Sequence, residues 1–379
     1  MKNKVGIVTY YSFYNYGSVC QAYALSKVIE ELEYTPYLID FANLEKSWNR
    51  QLRRKVLLDR IIVTFMHPSV IKKTLLTKWM ANKAIKLRDE EIQEKFESFI
   101  KEMFQFPDED YIKNDKDFVS FICGSDQIWQ LEPPGLHYIF FLRFCSQYKR
   151  ISYAASFGTT TVPEYNRKRL SKYLNEFKTI SVREDIGLNI VRENSQQKNV
   201  VQVLDPVLLK KSIWWEKIMA MPVLPSKYIV CYFLGSPEDY LEVIRKKAIE
   251  SNLSIIWIAT GFEQPIGDDI TFKPTVNEFI GIIKFANLVF TDSLHGMEFS
   301  IIFHKHFYIC ERNYLTSSEQ KSRIESLLNL LDLKKISFKY NADIINFDFR
   351  LDYMKIDEKL KEMRNFSMQY LKNALNTID

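Results

Sequence analysis

The fold of this chain is decided by one nine-residue stretch, Phe290-Thr291-Asp292-Ser293-Leu294-His295-Gly296-Met297-Glu298. One apolar run, 286–290, precedes the polar part of this stretch, and another, 299–303, follows it. The pattern predicts a buried strand, a sharp loop and a helix that begins near His295. Strand-to-helix loops of open α/β sheets lie where ligands bind, and a helix N-terminus attracts anions. The stretch therefore predicts an active site for an anionic substrate.

Composition sets the broad class of the protein. The 379 residues are 46% apolar and 14% aromatic, which suffices for two domains with full cores. A net charge of +5 does not indicate nucleic-acid binding. The five cysteines form no CxxC pair, so neither a metal site nor a disulfide framework is predicted. No signal peptide and no apolar run of about 18 residues is found, so we expect a cytoplasmic protein.

Strand and helix patterns predict two lobes. An apolar run at 5–10 reads as a first strand, and apolar residues from Val19 onward recur at helical spacing. A new series of strands begins after Pro222 and Pro225, which interrupt regular structure. We therefore predict an α/β fold with two Rossmann-like lobes, 1–221 and 226–355, that face a central cleft. The helical pattern at 356–379 is expected to pack back across both lobes.

The first lobe contains a strongly basic segment. Residues 46–88 hold twelve Lys or Arg and one acid, Asp59, inside a predicted helical insertion that spans 43–110. Two interpretations are open. The segment is a solvated helical surface, as most charge runs are, or it contacts anionic lipid or a polyanionic saccharide carrier at the inner face of the membrane.

Polar residues follow three further strands of the predicted first lobe. Asn15 and Gly17 precede the first helix, where they either cap and turn the chain or contact a ligand. Ser125 and Asp126 follow the run 118–123, and Asp126 either caps a helix or orients sugar hydroxyls. Arg183 follows the run 179–182, where it either binds anions bidentately or pairs with a neighbouring acid.

Basic residues accompany the histidine in the second lobe. The polar neighbours of His295 favour an accessible functional site over a structural histidine. Further cations follow the strand at 307–310 and are expected to line the same cleft: Arg312, Lys321 and Arg323.

Seven blocks of sequence, in order from residue 5 to about 330, resemble the polysaccharide pyruvyl transferase family. They are Gly6-Ile7-Val8-Thr9-Tyr10 with Asn15-Tyr16-Gly17-Ser18-Val19-Cys20-Gln21-Ala22-Tyr23-Ala24-Leu25, Gly124-Ser125-Asp126-Gln127-Ile128-Trp129, Ser152-Tyr153-Ala154-Ala155-Ser156-Phe157-Gly158, Val182-Arg183-Glu184-Asp185, Leu204-Asp205-Pro206, Thr291-Asp292-Ser293-Leu294-His295-Gly296, and Ser322-Arg323-Ile324 with Leu327-Leu328.

This resemblance implies a glycosyltransferase B-type fold and a pyruvyltransferase. Members of the family transfer a pyruvyl group from phosphoenolpyruvate to a sugar of a capsule, exopolysaccharide or cell-wall polymer, forming a ketal. His295 matches the family's essential histidine and Arg183 a donor-binding arginine. Ser293 stands where characterised members often carry arginine, so the resemblance implies that one donor contact is either missing or supplied elsewhere, with Lys321 and Arg323 as the candidates.

The resulting assignment is a cytoplasmic enzyme that needs no cofactor and takes phosphoenolpyruvate as its donor substrate. His295 is the candidate catalytic residue. Donor-binding candidates are Arg183, Ser293, Arg312, Lys321 and Arg323. Acceptor-binding candidates are Asn15, Gly17, Ser125 and Asp126. The expected partner is a saccharide, in free or lipid-linked form. Two alternatives stay open: a nucleotide-sugar glycosyltransferase on the same fold, and a non-catalytic saccharide-binding scaffold.

Overall fold

The computed structural model of the protein describes residues 3–11, 14–40, 89–107, 115–131, 136–260, 269–312, 321–333, 336–338 and 350–376, together with the single positions 61, 71 and 75. Within these ranges, twelve strands form two parallel sheets of six strands each. The predicted α/β class with two Rossmann-like lobes is confirmed.

The first lobe is built around the first sheet. Its strands are β1 (Lys4–Val8), β2 (Thr35–Leu38), β3 (Phe118–Cys123), β4 (Arg150–Ala155), β5 (Thr179–Val182) and β6 (Val201–Gln202). Its helices are α1 (Tyr16–Glu31), α2 (Glu90–Met103), α3 (Glu164–Asn175), α4 (Asp185–Asn194), α5 (Pro206–Leu209) and α6 (Ser212–Trp215). The strand order is β2-β1-β3-β4-β5-β6. All six residues of β4 are buried, as expected when helices cover both faces of a parallel sheet.

The second lobe repeats this design. Its strands are β7 (Tyr228–Tyr232), β8 (Ser254–Ile258), β9 (Ile270–Phe272), β10 (Leu288–Thr291), β11 (His306–Cys310) and β12 (Ser337–Phe338). Its helices are α7 (Leu241–Ser251), α8 (Val276–Phe285), α9 (Leu294–Ile302), α10 (Lys321–Leu330) and α11 (Tyr353–Asn376). The strand order is β12-β11-β10-β7-β8-β9. Every residue of β7 is buried.

Both sheets have a point at which the chain order reverses. In the first sheet it lies between β1 and β3, and in the second between β7 and β10. Open α/β sheets bind ligands outside the carboxyl ends of the strands at this switch point. The fold therefore marks the loops after these four strands, around residues 10, 125, 234 and 293, as the place for a site.

The two lobes share buried contacts. One cluster of buried apolar side chains includes Val5 and Leu25 of the first lobe with Phe279 and Met297 of the second. Tyr16 in α1 stacks on Phe279 in α8, with ring centroids 4.6 Å apart. The lobes therefore meet through an apolar core that lies below the polar loops of the switch points.

The last helix, α11, connects the lobes a second time. At its start, His304 of the second lobe pairs with Asp357. Towards its end, the Tyr370 hydroxyl donates to the carbonyl of Ser152 in β4 at 2.8 Å. The helix begins at Tyr353 rather than at residue 356.

Most of the predicted basic insertion 43–110 lies outside the described residues, including all of 46–88 except the single positions 61, 71 and 75. The part that is described contains α2, whose Lys95 donates to the carbonyl of Lys273 in the second lobe at 2.6 Å. Among the described residues, no helix is both long enough and apolar enough to cross a membrane.

Candidate active site

A cavity of about 210 Å³ opens where the two switch points face each other. Residues of both lobes form its wall: Tyr10, Asn15, Ser18, Asp126 and Gln127 from the first, and Leu234, Ser293, Leu294, His295, Arg312 and Arg323 from the second. Concave sites at switch points are where α/β folds bind small molecules. We therefore take this cavity as the candidate active site.

Hydrogen bonds within the first lobe hold Asp126 at the cavity. Ser18 Oγ donates to Asp126 Oδ2 at 2.6 Å, and Asp126 has a φ of 70°, a conformation that few non-glycine residues adopt. The fully buried Gln21 joins the two loops of the switch point. Its Nε2 donates to Thr9 Oγ1 at 2.9 Å, and its Oε1 accepts from the backbone N–H of Ser125 at 3.1 Å. The loops after β1 and β3 are therefore held as one unit.

His295 lies in the first turn of α9 and packs into the opposite lobe. Ser293 is the N-cap of this helix, with its Oγ accepting from the backbone N–H of Gly296 at 3.4 Å. The imidazole lies so close to Gly17 that a Cβ at that position would collide with His295 Nδ1. Its Nε2 faces Asp205 Oδ2 across 3.6 Å. The ring is thus held between Gly17 and Asp205 beside the cavity.

A buried carboxylate, Asp292, positions Arg312. Arg312 Nε donates to Asp292 Oδ2 at 2.8 Å, and Nη2 donates to the backbone oxygen of Asp292 at 2.9 Å. The same carboxylate accepts the backbone N–H groups of Leu234 at 2.7 Å and Gly235 at 2.8 Å. One side chain therefore fixes both the loop after β7 and the guanidinium on the cavity wall.

Arg183 lies beneath the cavity and pairs with Asp205. Its Nη1 donates to Asp205 Oδ2 at 2.6 Å, and Ser125 Oγ donates to the same oxygen at 2.8 Å. Its Nη2 is 3.6 Å from Asp126 Oδ1. The other oxygen of Asp205 caps α5 by accepting from the backbone N–H of Val207 at 3.0 Å. Asp205 thus connects the ends of β3, β5 and β6 under the cavity.

Two of the buried carboxyl groups are held ionised. Burial by itself raises the pKa of Asp205, but His295 and Arg183 outweigh burial, so this pKa is well below its usual value. The pKa of Asp126 is also lowered, because Arg183 and His295 again outweigh burial. The negative charges next to the cavity are therefore present at neutral pH.

Two other buried carboxyl groups behave in the opposite way. Burial raises the pKa of Glu298, and the nearby Asp205 raises it further. Burial also raises the pKa of Glu184, although Arg183 opposes this effect. Burial and the charge of Arg183 lower the pKa of Arg323 to about 10, so that guanidinium stays protonated at neutral pH.

The structure brings most of the predicted residues to one place. Six of them line the cavity: Asn15, Asp126, Ser293, His295, Arg312 and Arg323. The side chain of Lys321 lies outside the described residues. Arg323 lines the same cavity as Ser293, the position at which the sequence lacks the expected arginine.

Three predicted residues lie behind the wall instead. Gly17 makes room for the His295 ring. Arg183 and Ser125 both donate to Asp205, so the direct substrate contacts predicted for them are corrected to a supporting position. Trp129, which ends the same sequence block as Ser125, is fully buried with its ring stacked on Phe141.

Sequence reasoning missed Asp205, Glu298 and Gln21 as site residues. Asp205 follows the apolar run 200–204. This position in the sequence indicates that it lies at the same edge of the sheet as the other site residues that follow strands. Glu298 lies three residues after His295, a spacing that puts both on one helix face. Nothing near Gln21 in the sequence indicates that it joins two loops.

The family of the chain is identified by its sequence. A profile of the polysaccharide pyruvyl transferase family matches residues 15–314. The chain belongs to this family. The match runs from the N-cap of α1 to just beyond β11, so it includes both sides of the cavity, and membership of the polysaccharide pyruvyl transferase family indicates a transferase. No curated protein sequence matches the chain.

Solved structures support the fold. A UDP-N-acetylglucosamine 2-epimerase superposes with a TM-score of 0.51 at 11% identity, covering 98% of this chain and 96% of that one. S. aureus MnaA with UDP gives 0.47 at 11% identity, with 98% and 97% covered. The wall teichoic acid polymerase TagF gives 0.45 at 7% identity, with 98% and 87% covered. The superposition on the epimerase, at a TM-score of 0.51, supports the glycosyltransferase B-type fold, and at 11% identity the likeness concerns the fold alone.

Proposed function

We propose that the protein transfers a pyruvyl group from phosphoenolpyruvate to a sugar of a cell-surface polysaccharide or its lipid-linked precursor, forming a pyruvate ketal. The observation that carries this proposal is the convergence of His295, Arg312 and Arg323 on one small cavity, in a chain of the polysaccharide pyruvyl transferase family. A donor with a phosphate and a carboxylate needs such a group of cations.

The size of the cavity also favours a small donor. Pockets for drug-sized ligands are roughly 300–1,000 Å³, whereas this cavity is about 210 Å³. A three-carbon phosphorylated acid fits that space better than a nucleotide sugar does.

The reaction requires two new bonds to one carbon. The C2 atom of the donor gains a C–O bond from each of two sugar hydroxyls, and its bond to the phosphate oxygen breaks. The proton of the first hydroxyl balances the proton gained by the methylene carbon, and the proton of the second leaves with phosphate. We assign Arg312 and Arg323 to the donor's anionic groups, while Asp126 and His295 are the cavity-lining groups suited to moving these protons.

The acceptor side is assigned to the first lobe. Asp126 is ionised, and Ser18 holds one of its oxygens. Asn15 caps α1 through the backbone N–H groups of Gly17 and Ser18, so its side-chain oxygen is already engaged. We therefore propose that Asp126 binds the sugar hydroxyls. A lipid-linked acceptor would bind at the cytoplasmic face of the membrane. There the basic segment 46–88 would be attracted to anionic lipid.

The test measures phosphate release from phosphoenolpyruvate with candidate lipid-linked saccharides as acceptors. His295→Ala is expected to lower turnover by at least about a hundredfold, the scale of a positioned proton-transfer group. His304→Ala is the matched control, because His304 is half-exposed and pairs with Asp357 away from the cavity. The turnover of His304→Ala should equal that of the unchanged protein.

Other outcomes point to other functions. Phosphate release that is equal in both variants removes His295 from the mechanism. Thermal stabilisation by a nucleotide sugar but not by phosphoenolpyruvate would favour a glycosyltransferase. Binding of the saccharide without a response to either donor would favour the scaffold.

A further inference from the structure

Three side chains beneath the cavity present ligand atoms to one another. They are Asp205, which follows β6, and His295 and Glu298, which lie one turn apart in α9. One ligand atom of each lies within 4.8 Å of the other two. All three residues are at most 4% exposed. His295 lines the cavity, so the cavity gives access to the cluster.

Two atoms of this cluster have no hydrogen-bond partner among the described residues: His295 Nε2 and Glu298 Oε2. A buried polar atom without a partner is costly, so native structures rarely leave two such atoms together. His295 Nε2 faces Asp205 Oδ2 across 3.6 Å, and Glu298 brings a carboxylate oxygen into the same cluster. A ligand that accepts electron pairs from all three atoms would remove this cost.

The spacing suits a metal ion better than a direct hydrogen bond. His295 Nε2 and Asp205 Oδ2 are 3.6 Å apart, which is too long for a hydrogen bond. Nitrogen and oxygen ligands lie about 2.0–2.2 Å from a zinc-type ion, so two ligands of one tetrahedral ion are about 3.4 Å apart. The observed separation is close to that value.

The surrounding charge also favours a cation. Four buried carboxyl groups interact with Arg183: Asp126, Glu184, Asp205 and Glu298. Arg312 is already paired with Asp292. Two of these groups, Asp126 and Asp205, are held ionised next to a cavity for which the proposed function requires a donor carrying phosphate and carboxylate, and a cation would offset that negative charge.

We propose that Asp205, His295 and Glu298 bind a divalent transition-metal cation beneath the cavity. The charge argument rests on the proposed function, whereas the geometric argument does not. The imidazole ligand suits zinc and the two carboxylates suit manganese, whereas magnesium prefers a shell of oxygen ligands and retains its water. With an ion bound to Nε2 of His295, the proton transfers proposed above for Asp126 and His295 would fall to Asp126, and the loss of turnover expected for His295→Ala would reflect loss of the ion.

The test uses the full-length protein stripped of metal with a chelator and titrated with Mn²⁺, Zn²⁺ or Mg²⁺ by calorimetry, without donor or acceptor. We expect one site for Mn²⁺ or Zn²⁺ and much weaker binding of Mg²⁺. Glu298→Gln keeps the shape of the side chain and removes the ligand. It should weaken binding by at least about a hundredfold, since loss of a mere second-shell partner already costs 10–100-fold.

Glu184→Gln is the matched control, because Glu184 is equally buried and its Oε2 also has no hydrogen-bond partner among the described residues. Glu184 lies outside the cluster, so its variant should retain the site. Equal weakening in both variants, or no one-site binding in the unchanged protein, overturns the proposal. Anomalous diffraction from Mn²⁺-soaked crystals locates the ion independently, and a peak away from the three side chains also overturns it. Since no phosphoenolpyruvate is present, these results are separate from failure of the proposed donor.

Discussion

At the scale of single residues, the site depends on how closely the lobes approach at Gly17. A Cβ at this position would collide with Nδ1, Cγ and Cβ of His295. The other edge of the ring faces Asp205. The absence of a side chain at residue 17 therefore permits the position of the histidine, although Gly17 itself does not line the cavity.

Gly17→Ala is predicted to destabilise the protein. In an exposed helix this change is stabilising by up to about 1 kcal/mol, but here the added methyl group overpacks a buried contact, which typically costs about 1–3 kcal/mol. Urea unfolding measures the change, and donor-dependent turnover should fall with it, because the ring of His295 must move.

The control for this variant is Gly187→Ala in α4. A Cβ there would come no closer than 3.1 Å to the side chain of Val182, so a small adjustment suffices. An equal loss of stability in both variants would show that the contact between Gly17 and His295 has no special role.

At the scale of secondary-structure elements, the sequence predicts strands better than it predicts partners. Two strands have the predicted bounds, 118–123 and 179–182, because each apolar run ends at a polar or glycine residue, and the strand predicted from the run 286–290 is found at 288–291. The helix that begins near His295 is also found, with Ser293 as its cap. These features depend on local patterns that a single sequence displays.

Contacts between residues that are far apart in the sequence could not be predicted in this way. Arg183 carries the right chemistry for an anion, but Asp205, which is 22 residues away, holds it beneath the cavity. The cluster of Asp205, His295 and Glu298 joins segments about 90 residues apart in different lobes. No local pattern reveals such a contact, because it arises only when the carboxyl edges of the two sheets face each other.

The last helix offers a test at this scale. Ser367 in α11 is fully buried, and its Oγ accepts the backbone N–H of Leu204 at 3.0 Å, immediately before Asp205. Ser367→Ala leaves that N–H without its partner, so we predict a loss of about 1–3 kcal/mol in the free energy of unfolding. Chemical denaturation measures this loss.

Asn365→Ala, on the exposed side of the same helix, serves as the comparison. Surface changes of this kind are usually within about 0.5 kcal/mol. If both variants unfold at the same denaturant concentration as the unchanged protein, the hydrogen bond to Leu204 contributes nothing to the docking of α11.

At the scale of the whole molecule, two similar lobes are joined by one apolar core with a polar cleft above it. Tyr16 of the first lobe stacks on Phe279 of the second, and its hydroxyl donates to the carbonyl of Pro274 at 3.0 Å. The helix α11 adds a second connection, since Leu371 belongs to the same buried cluster as Val5 and Met297. The two lobes therefore stabilise each other as well as forming the site between them.

This shared core predicts that the lobes unfold together, because neither can lose its packing without exposing apolar surface of the other. Differential scanning calorimetry should show one transition whose calorimetric and van't Hoff enthalpies agree. Phosphoenolpyruvate at about a hundredfold excess over its dissociation constant would add about 2.7 kcal/mol, and it should move that single transition upward by a few degrees as a whole. Two separate transitions, or a shift confined to one of two, would show that the lobes are independent units and that the cleft does not couple them.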